Sequence, residues 1–349
     1  MTPTLDISTD GALGVIALNR PEAINALNHD MIGGIRDALT RWRADGAIRA
    51  VLFEGRGPRG FCAGGDVRAM RTLTLEGKFD TAGRFFADEY AVNGMIADYD
   101  KPVVALTHGV VMGGGIGLAG HAGFRFTTSD GRFAMPEGAI GFFSDVGSNA
   151  ILAKSPRHRA LAFLMSGQAV GVADALRLGL SDCVVPADAR ERVRAGIVAA
   201  AEAEDVETAL VFLMQTEGVE PGDTPFCDAA DRLESAFALN DAAAILAALR
   251  ADPAGAALAE VIASRSPTSL AAILETHLSA RGARAIGEVL AVDLAVAKFM
   301  IAQPDFAEGV RAVLVEKDHA PRWSPADPAL VDRAGLLRAV RNAGETTAD

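Results

Sequence analysis

The sequence predicts an α/β fold extended at its C-terminus by α-helices, and three observations carry that prediction. Short β-branched runs alternate with helix-spaced apolar segments early in the chain. Glycine-rich turns follow those runs, which is the strand, loop, helix rhythm of an α/β layer architecture. From Arg157 onward the chain reads as almost pure helix.

Gly14-Val-Ile-Ala-Leu-Asn19 is a strand ended by Arg20-Pro21, and Asn28 or Asp30 then offers a cap for an amphipathic helix through Arg43. Arg49-Ala-Val-Leu-Phe-Glu54 is the next strand. It enters a turn-rich segment, Gly55 to Gly65, after which Asp66 opens a helix carrying Val67, Met70 and Leu73 on one side. Pro102-Val-Val-Ala-Leu106 repeats the pattern, with the cluster Gly113-Gly-Gly115 before Ile116 to Gly123. Phe124-Arg-Phe-Thr-Thr128 and Arg132-Phe-Ala-Met135 read as shorter strands around the turn Ser129-Asp-Gly131. Beyond them, helices are expected over Arg159–Ser166, Val172–Leu178, Ala189–Glu204, Asp241–Arg250, Pro253–Ser264 and Ser269–Ala280. Their starts carry Asp, Ser or Pro and their interiors are rich in alanine. Gly218 to Thr224 is the most loop-like interruption.

At 349 residues the chain has room for two domains of about 150 residues each. Half of it is apolar, 22% is charged and the mean hydropathy is +0.21, a composition that excludes intrinsic disorder. Basic residues number 33 against 45 acidic, a net charge of −12, which opposes a sequence-independent grip on nucleic acid. The glycine-interrupted run from Pro102 to Gly120 does not read as a membrane span. Cys62, Cys183 and Cys227 are odd in number and widely spaced, indicating neither a disulfide framework nor a zinc ribbon. The opening MTPTLDISTDG carries no secretion or import signal, so a cytoplasmic location is expected.

Two segments match G-x-G-x-x-G, Gly55 to Gly60 and Gly115 to Gly120, but two matches among 36 glycines show how weak that pattern is alone. No phosphate-loop, zincin or serine-hydrolase motif is present, and the six histidines have no metal-binding spacing. The glycine clusters fit another use. Gly65 before Asp66 and Gly114 before Ile116 stand where helix starts expose backbone N–H groups, which is an oxyanion hole in outline. The same glycines would equally serve tight turns and close packing. Downstream, Met135-Pro-Glu137-Gly-Ala-Ile-Gly-Phe-Phe-Ser-Asp145-Val-Gly147 holds two carboxylates in an apolar loop, a setting that raises carboxylate pKa values toward neutrality. Glu137 reads equally as a first-turn helix residue and Asp145 as a helix cap.

Together, Leu18-Asn-Arg-Pro-Glu-Ala-Ile-Asn-Ala-Leu27, Phe61-Cys-Ala-Gly-Gly-Asp-Val67, Lys101-Pro-Val-Val-Ala-Leu106, His108-Gly109 and Met112-Gly-Gly-Gly115 resemble, in order, the signature segments of the crotonase (enoyl-CoA hydratase/isomerase) superfamily. The resemblance implies a spiral of β-β-α repeats over residues 1–186, with a helical extension, 187–349, packed on it. It also implies that the Gly65 and Gly114 amides polarise the thioester carbonyl of an acyl-CoA. Hydratases of the family carry a catalytic Glu three residues after the middle glycine of the triplet, where this chain has Gly117. Glu137 matches the second hydratase carboxylate. Glu137 with Asp145, and Glu89 in Asp88-Glu-Tyr-Ala-Val-Asn93, resemble the 3-hydroxyisobutyryl-CoA hydrolase branch, in which these positions and the glycine matching Gly114 line the acyl pocket. The likeness continues through Ser264–Leu270, Asp305–Ala312 and Glu316–Pro325, while Ser144 stands where that branch typically has a proline, a change expected to loosen the loop aiming Asp145.

The function so implied is hydrolysis of a short 3-hydroxyacyl-CoA, above all (S)-3-hydroxyisobutyryl-CoA of valine catabolism. Gly65 and Gly114 would stabilise the oxyanion, a contribution of ~3–4 kcal/mol per donor. Glu137 would act as nucleophile or general base, Asp145 would position water or the 3-hydroxyl, and Glu89 would accept a hydrogen bond from that hydroxyl. No cofactor is expected beyond the CoA of the substrate, no metal, nucleic acid or membrane partner, and a homo-oligomer, trimer or hexamer, fits the family. The alternatives are an enoyl-CoA hydratase or isomerase using Glu137 alone, and a non-catalytic acyl-CoA-binding subunit.

Overall fold

In the computed structural model, which describes residues 3–346, nine strands are arranged in two sheets. They are β1 (Leu5–Asp10), β2 (Leu13–Leu18), β3 (Ala50–Gly55), β4 (Gly60–Cys62), β5 (Val103–Thr107), β6 (Val110–Met112), β7 (Phe124–Thr128), β8 (Arg132–Ala134) and β9 (Cys183–Val185). The larger sheet has the order β1-β2-β3-β5-β7-β9, antiparallel at the β1–β2 hairpin and parallel thereafter. The smaller has the order β4-β6-β8. Each of β3, β5 and β7 joins the larger sheet and its immediate successor joins the smaller one, and helical segments follow. This is the β-β-α repeat of a crotonase spiral.

The chain divides into two compact units, each made of separate stretches. The first comprises Met1–Gly65, Ala91–Phe133 and Val170–Thr224. Strands β2, β3 and β5 are buried along their whole length, as both-side-covered parallel strands must be, which is why they read as near-continuous apolar runs, interrupted by Glu54 in β3 and ended by Thr107 in β5. On one face of the larger sheet, Leu13, Val15, Leu52, Val104, Leu106 and Phe126 pack against Val193, Ile197, Ala201 and Leu210 of the helices Arg190–Glu202 and Val206–Glu217. The helix His29–Ala44 buries Met31, Ile35, Leu39 and Trp42, and the Asn28 side chain caps its start by accepting from the Met31 N–H at 2.9 Å.

The second unit comprises Asp66–Tyr90, Ala134–Ala169 and Pro225–Asp349. It is helical. The helix Pro267–Ala280 is buried along nearly its whole length, starting at Ser266, whose hydroxyl caps the Ser269 N–H, and Pro267 at its first position. The helices Arg157–Ser166 and Ile286–Ile301 supply further core residues, among them Phe163, Val296 and Met300. The contact boundary therefore does not coincide with a single cut after Pro186. The two helices after that residue bury their apolar faces on the larger sheet, while Asp66–Tyr90 and Ala134–Ala169 group with the C-terminal helices.

Strands β1, β4, β6 and β9 and the helix Phe79–Ala97 have no counterpart in the sequence expectations, and neither do several later helices, among them Val206–Glu217 and Ile286–Ile301. Among the described residues no helix is long and apolar enough to cross a membrane, and no group of three or more His, Cys, Asp or Glu is placed to hold a metal ion.

Candidate active site

In the first unit, the two glycine loops meet. A Cβ added to Gly64 would stand 3.5 Å from the Gly114 nitrogen, and one added to Gly115 would stand 2.6 Å from the Cys62 carbonyl oxygen. A side chain at Gly115 would push the loops apart, whereas at Gly64 the contact is ordinary and φ 106° is what favours glycine. Gly65 ends the turn after β4 and is bridged to Leu27, whose N–H donates to Gly64 O at 2.8 Å. Gly113 adopts φ 50°, ψ −122° ahead of the short helix Gly114–Ala119, whose first ladder bonds are Ile116 N–H and Gly117 N–H to Gly113 O. The Gly114 N–H thus belongs to the helix-start amides that have no intrahelical acceptor.

In the second unit, Glu89, Glu137 and Asp145 are all buried. Glu89 lies on the helix Phe79–Ala97. Glu137 opens the 3-10 turn Glu137–Ile140, which is braced by the Ser266 N–H donating to Gly138 O at 3.2 Å and by Gly309 packed on the Ile140 backbone. Asp145 sits in the segment between that turn and the helix Ser148–Leu152. Phe86 stacks on Phe142 at 5.1 Å between ring centroids, and Phe142 also meets Phe143 and Phe306, so the carboxylates share their unit with a cluster of aromatic rings.

Burial dominates the electrostatics. It pushes the Glu89 carboxyl up to about 8, with Asp145 adding like-charge repulsion. Asp145 is pushed up to about 7 by burial, against the downward pull of a hydrogen bond from Tyr90. Glu137 is held well above the usual carboxylate range by burial first and then by the charges of Asp145 and Glu89. The Tyr90 hydroxyl donates to Asp145 Oδ2 at 2.5 Å, and burial beside these acids keeps that phenol protonated. One oxygen of Glu89 and one of Glu137 are buried with no hydrogen-bond partner among the described residues. Three carboxyls that influence one another, two of them with an acceptor left over, form an arrangement able to bind a hydroxyl and to hold or release a proton near neutral pH.

Residues 13–339 match the family model described as enoyl-CoA hydratase/isomerase. The chain belongs to the enoyl-CoA hydratase/isomerase family. Within that family it is 34% identical over 341 residues to a Homo sapiens protein named 3-hydroxyisobutyryl-CoA hydrolase, mitochondrial, covering 96% of this chain and 88% of the relative. A Danio rerio protein of the same name is 36% identical over 325 residues, covering 90% and 84%. Among solved structures, the carnitinyl-CoA dehydratase of Mycobacterium thermoresistibile superposes with a TM-score of 0.88 at 34% identity, covering 97% of this chain and 96% of that one. Membership of the enoyl-CoA hydratase/isomerase family brings an acyl-CoA substrate and a hydrolase or hydratase reaction.

Of the residues singled out from sequence, the first unit holds Gly65 and Gly114, and the second holds Glu89, Glu137 and Asp145. Ser144 does not leave its loop untethered, since its carbonyl accepts from Asn149 Nδ2 at 3.1 Å. Sequence reasoning missed Tyr90, Asn149, His277 and Asp293. Tyr90 is one of only two tyrosines and adjoins Glu89. Asp293 is the sole charged residue in the apolar stretch Val289–Ala297, a pattern that marks a charge on a buried helix face.

Proposed function

We propose that this chain is a thioester hydrolase of short 3-hydroxyacyl-CoA substrates, with (S)-3-hydroxyisobutyryl-CoA as the preferred one. The observation that carries this reading is the trio of buried, mutually perturbed carboxyls, Glu89, Glu137 and Asp145, in a chain whose hydratase-type glutamate position is occupied by Gly117. Without that second glutamate, the paired-carboxylate delivery of water across a double bond lacks one partner. The names of the human and zebrafish relatives agree with hydrolysis.

In this reading the Gly65 and Gly114 N–H groups stabilise the negative charge that develops on the thioester oxygen. Ionised Glu137 either attacks the carbonyl carbon, giving a mixed anhydride that water then opens, or removes a proton from the attacking water. By either route the carbon–sulfur bond breaks, the sulfur leaves as CoA and is protonated, and the acid product carries the oxygen from water. Asp145, fixed by Tyr90, raises the proton affinity of Glu137. Glu89, uncharged at neutral pH, offers its free oxygen to the 3-hydroxyl of the acyl chain. An acceptor buried for that purpose penalises chains that lack the hydroxyl, because it is then left unpaired.

Crotonyl-CoA separates this reading from a hydratase. The hydrolase reading expects neither fast loss of the enoyl absorbance nor thiol release from that compound, together with thiol release from 3-hydroxyisobutyryl-CoA. Rapid loss of enoyl absorbance with no free thiol would contradict it.

A further inference from the structure

Asp145 is followed by a backbone segment that no local preference explains. Val146 has φ 54° and Gly147 has φ 70°, two successive residues in the left-handed region. Glycine reaches that region freely, but a β-branched residue there is strained and persists only where its surroundings over-determine it. The surroundings here are specific. The Gly147 N–H donates to Asp293 Oδ2 at 2.8 Å, the Ser148 N–H donates to Asp145 O at 3.0 Å, and the Ser144 carbonyl is held by Asn149 Nδ2. Asn149 is oriented in turn by His277 Nδ1, 3.1 Å from its Oδ1.

Asp293 is the unusual member of this set. It is wholly buried in the middle of the helix Ile286–Ile301, among Val289, Val292 and Val296, where burying a carboxyl is costly and an apolar residue would serve packing. Its other oxygen has no hydrogen-bond partner among the described residues. Burial, with Asp145 nearby, keeps the group well above the usual carboxylate range, hence a neutral acid whose carbonyl oxygen still accepts from Gly147.

We infer that Asp293 is a positioning residue: by anchoring the Gly147 N–H it holds the strained Val146-Gly147 turn and so fixes the direction of the Asp145 carboxylate. The inference rests on the reading of Asp145 as part of the hydrolytic site. It makes the helix Ile286–Ile301 a supporting element of the chemistry as well as of the core.

The test uses thiol release from 3-hydroxyisobutyryl-CoA by the full chain, with folding checked by circular dichroism. Asp293→Ala removes the acceptor and is expected to lower kcat by ~10–100-fold with KM little changed, the effect of a misaimed group. Asp293→Asn keeps an oxygen acceptor on a neutral side chain and is expected to restore kcat. In an Asp145→Asn background, Asp293→Ala should cost little further, because its effect runs through Asp145. Should Asp293→Ala fail to fold, Asp293→Ser, too short to reach Gly147, supplies the same comparison. Equal kcat losses in Asp293→Ala and Asp293→Asn, or a full additional loss in the Asp145→Asn background, would overturn the inference. Wild-type turnover in Asp145→Asn would instead overturn the reading of Asp145 and the inference with it, whereas an impaired Asp145→Asn beside an unimpaired Asp293→Ala would overturn the inference alone.

Discussion

Glu137 is asked to be ionised when it acts, yet its surroundings favour the proton. The proposal therefore makes a direct demand on one atom. Glu137→Gln keeps the shape and removes the base, and thiol release is expected to fall by ~100-fold or more. Retention of near-normal turnover would remove Glu137 from the chemistry. Glu89 makes the complementary case in stability. Its folded value of about 8 lies above the ~4.3 of an unfolded glutamate, so the neutral acid favours the fold. That contribution is fully present near pH 4 and is lost progressively as pH rises to about 8. Glu89→Gln, neutral throughout, is expected to match the wild-type Tm near pH 4 and to exceed it increasingly toward pH 9, the measurement being thermal unfolding across that range. A Tm difference that does not grow with pH would show that Glu89 is not the strained acid described. At this scale the chain neighbours of Glu137 and Asp145 announce the apolar surroundings in which both carboxyls are buried, and the cluster Gly113-Gly-Gly115 announces the helix start at Gly114. The sequence was uninformative about His277, which looks locally like an ordinary helix residue, and it marked Asp293 as a lone charge in an apolar helix without naming its partner, because each acts on a residue more than a hundred positions away.

Among elements, the turn Glu137–Ile140 depends on the short helix Pro304–Val310, where Gly309 lies against the Ile140 backbone. Alanine is a better helix former than glycine by about 1 kcal/mol, so propensity alone favours Gly309→Ala. The Cβ, however, would overlap backbone atoms that cannot rotate away. Overlap is expected to win: Gly309→Ala should lower Tm by several degrees and kcat as well, since the displaced turn carries Glu137. A raised Tm would mean that the turn yields and is not braced as described. The elements legible in the sequence were those with an unambiguous period. Strands β2, β3 and β5 are near-continuous apolar runs, and the alanine-rich helices after Arg157 begin at recognisable caps such as Asp241, whose side chain accepts from Ala244 N–H. β1 escaped because its LDISTD mixes polar and apolar residues on a half-exposed edge, and β4 because three residues show no period. The helix Phe79–Ala97 carries glycine, threonine and asparagine among its apolar residues, which blurs a helical stripe.

For the molecule as a whole, length and acidity take on meaning together. The residues beyond an α/β core are not inert bulk, since Ser266, His277, Asp293 and Gly309 all brace the stretch Glu137–Asn149 that carries two of the three proposed site carboxyls. Composition yields broad expectations alone, such as a weak sequence-independent hold on nucleic acid, whereas the proposed choice of hydrolase over hydratase depends on single positions, Gly117 and Glu89 above all. The measurement that bears most directly on that choice is thiol release compared between (S)-3-hydroxyisobutyryl-CoA and isobutyryl-CoA, which differ by one hydroxyl. The account predicts rapid release from the first and release slower by ~100-fold or more from the second, with Glu89→Ala erasing most of the difference. Equal rates from the two compounds, or a preference that survives Glu89→Ala, would contradict it.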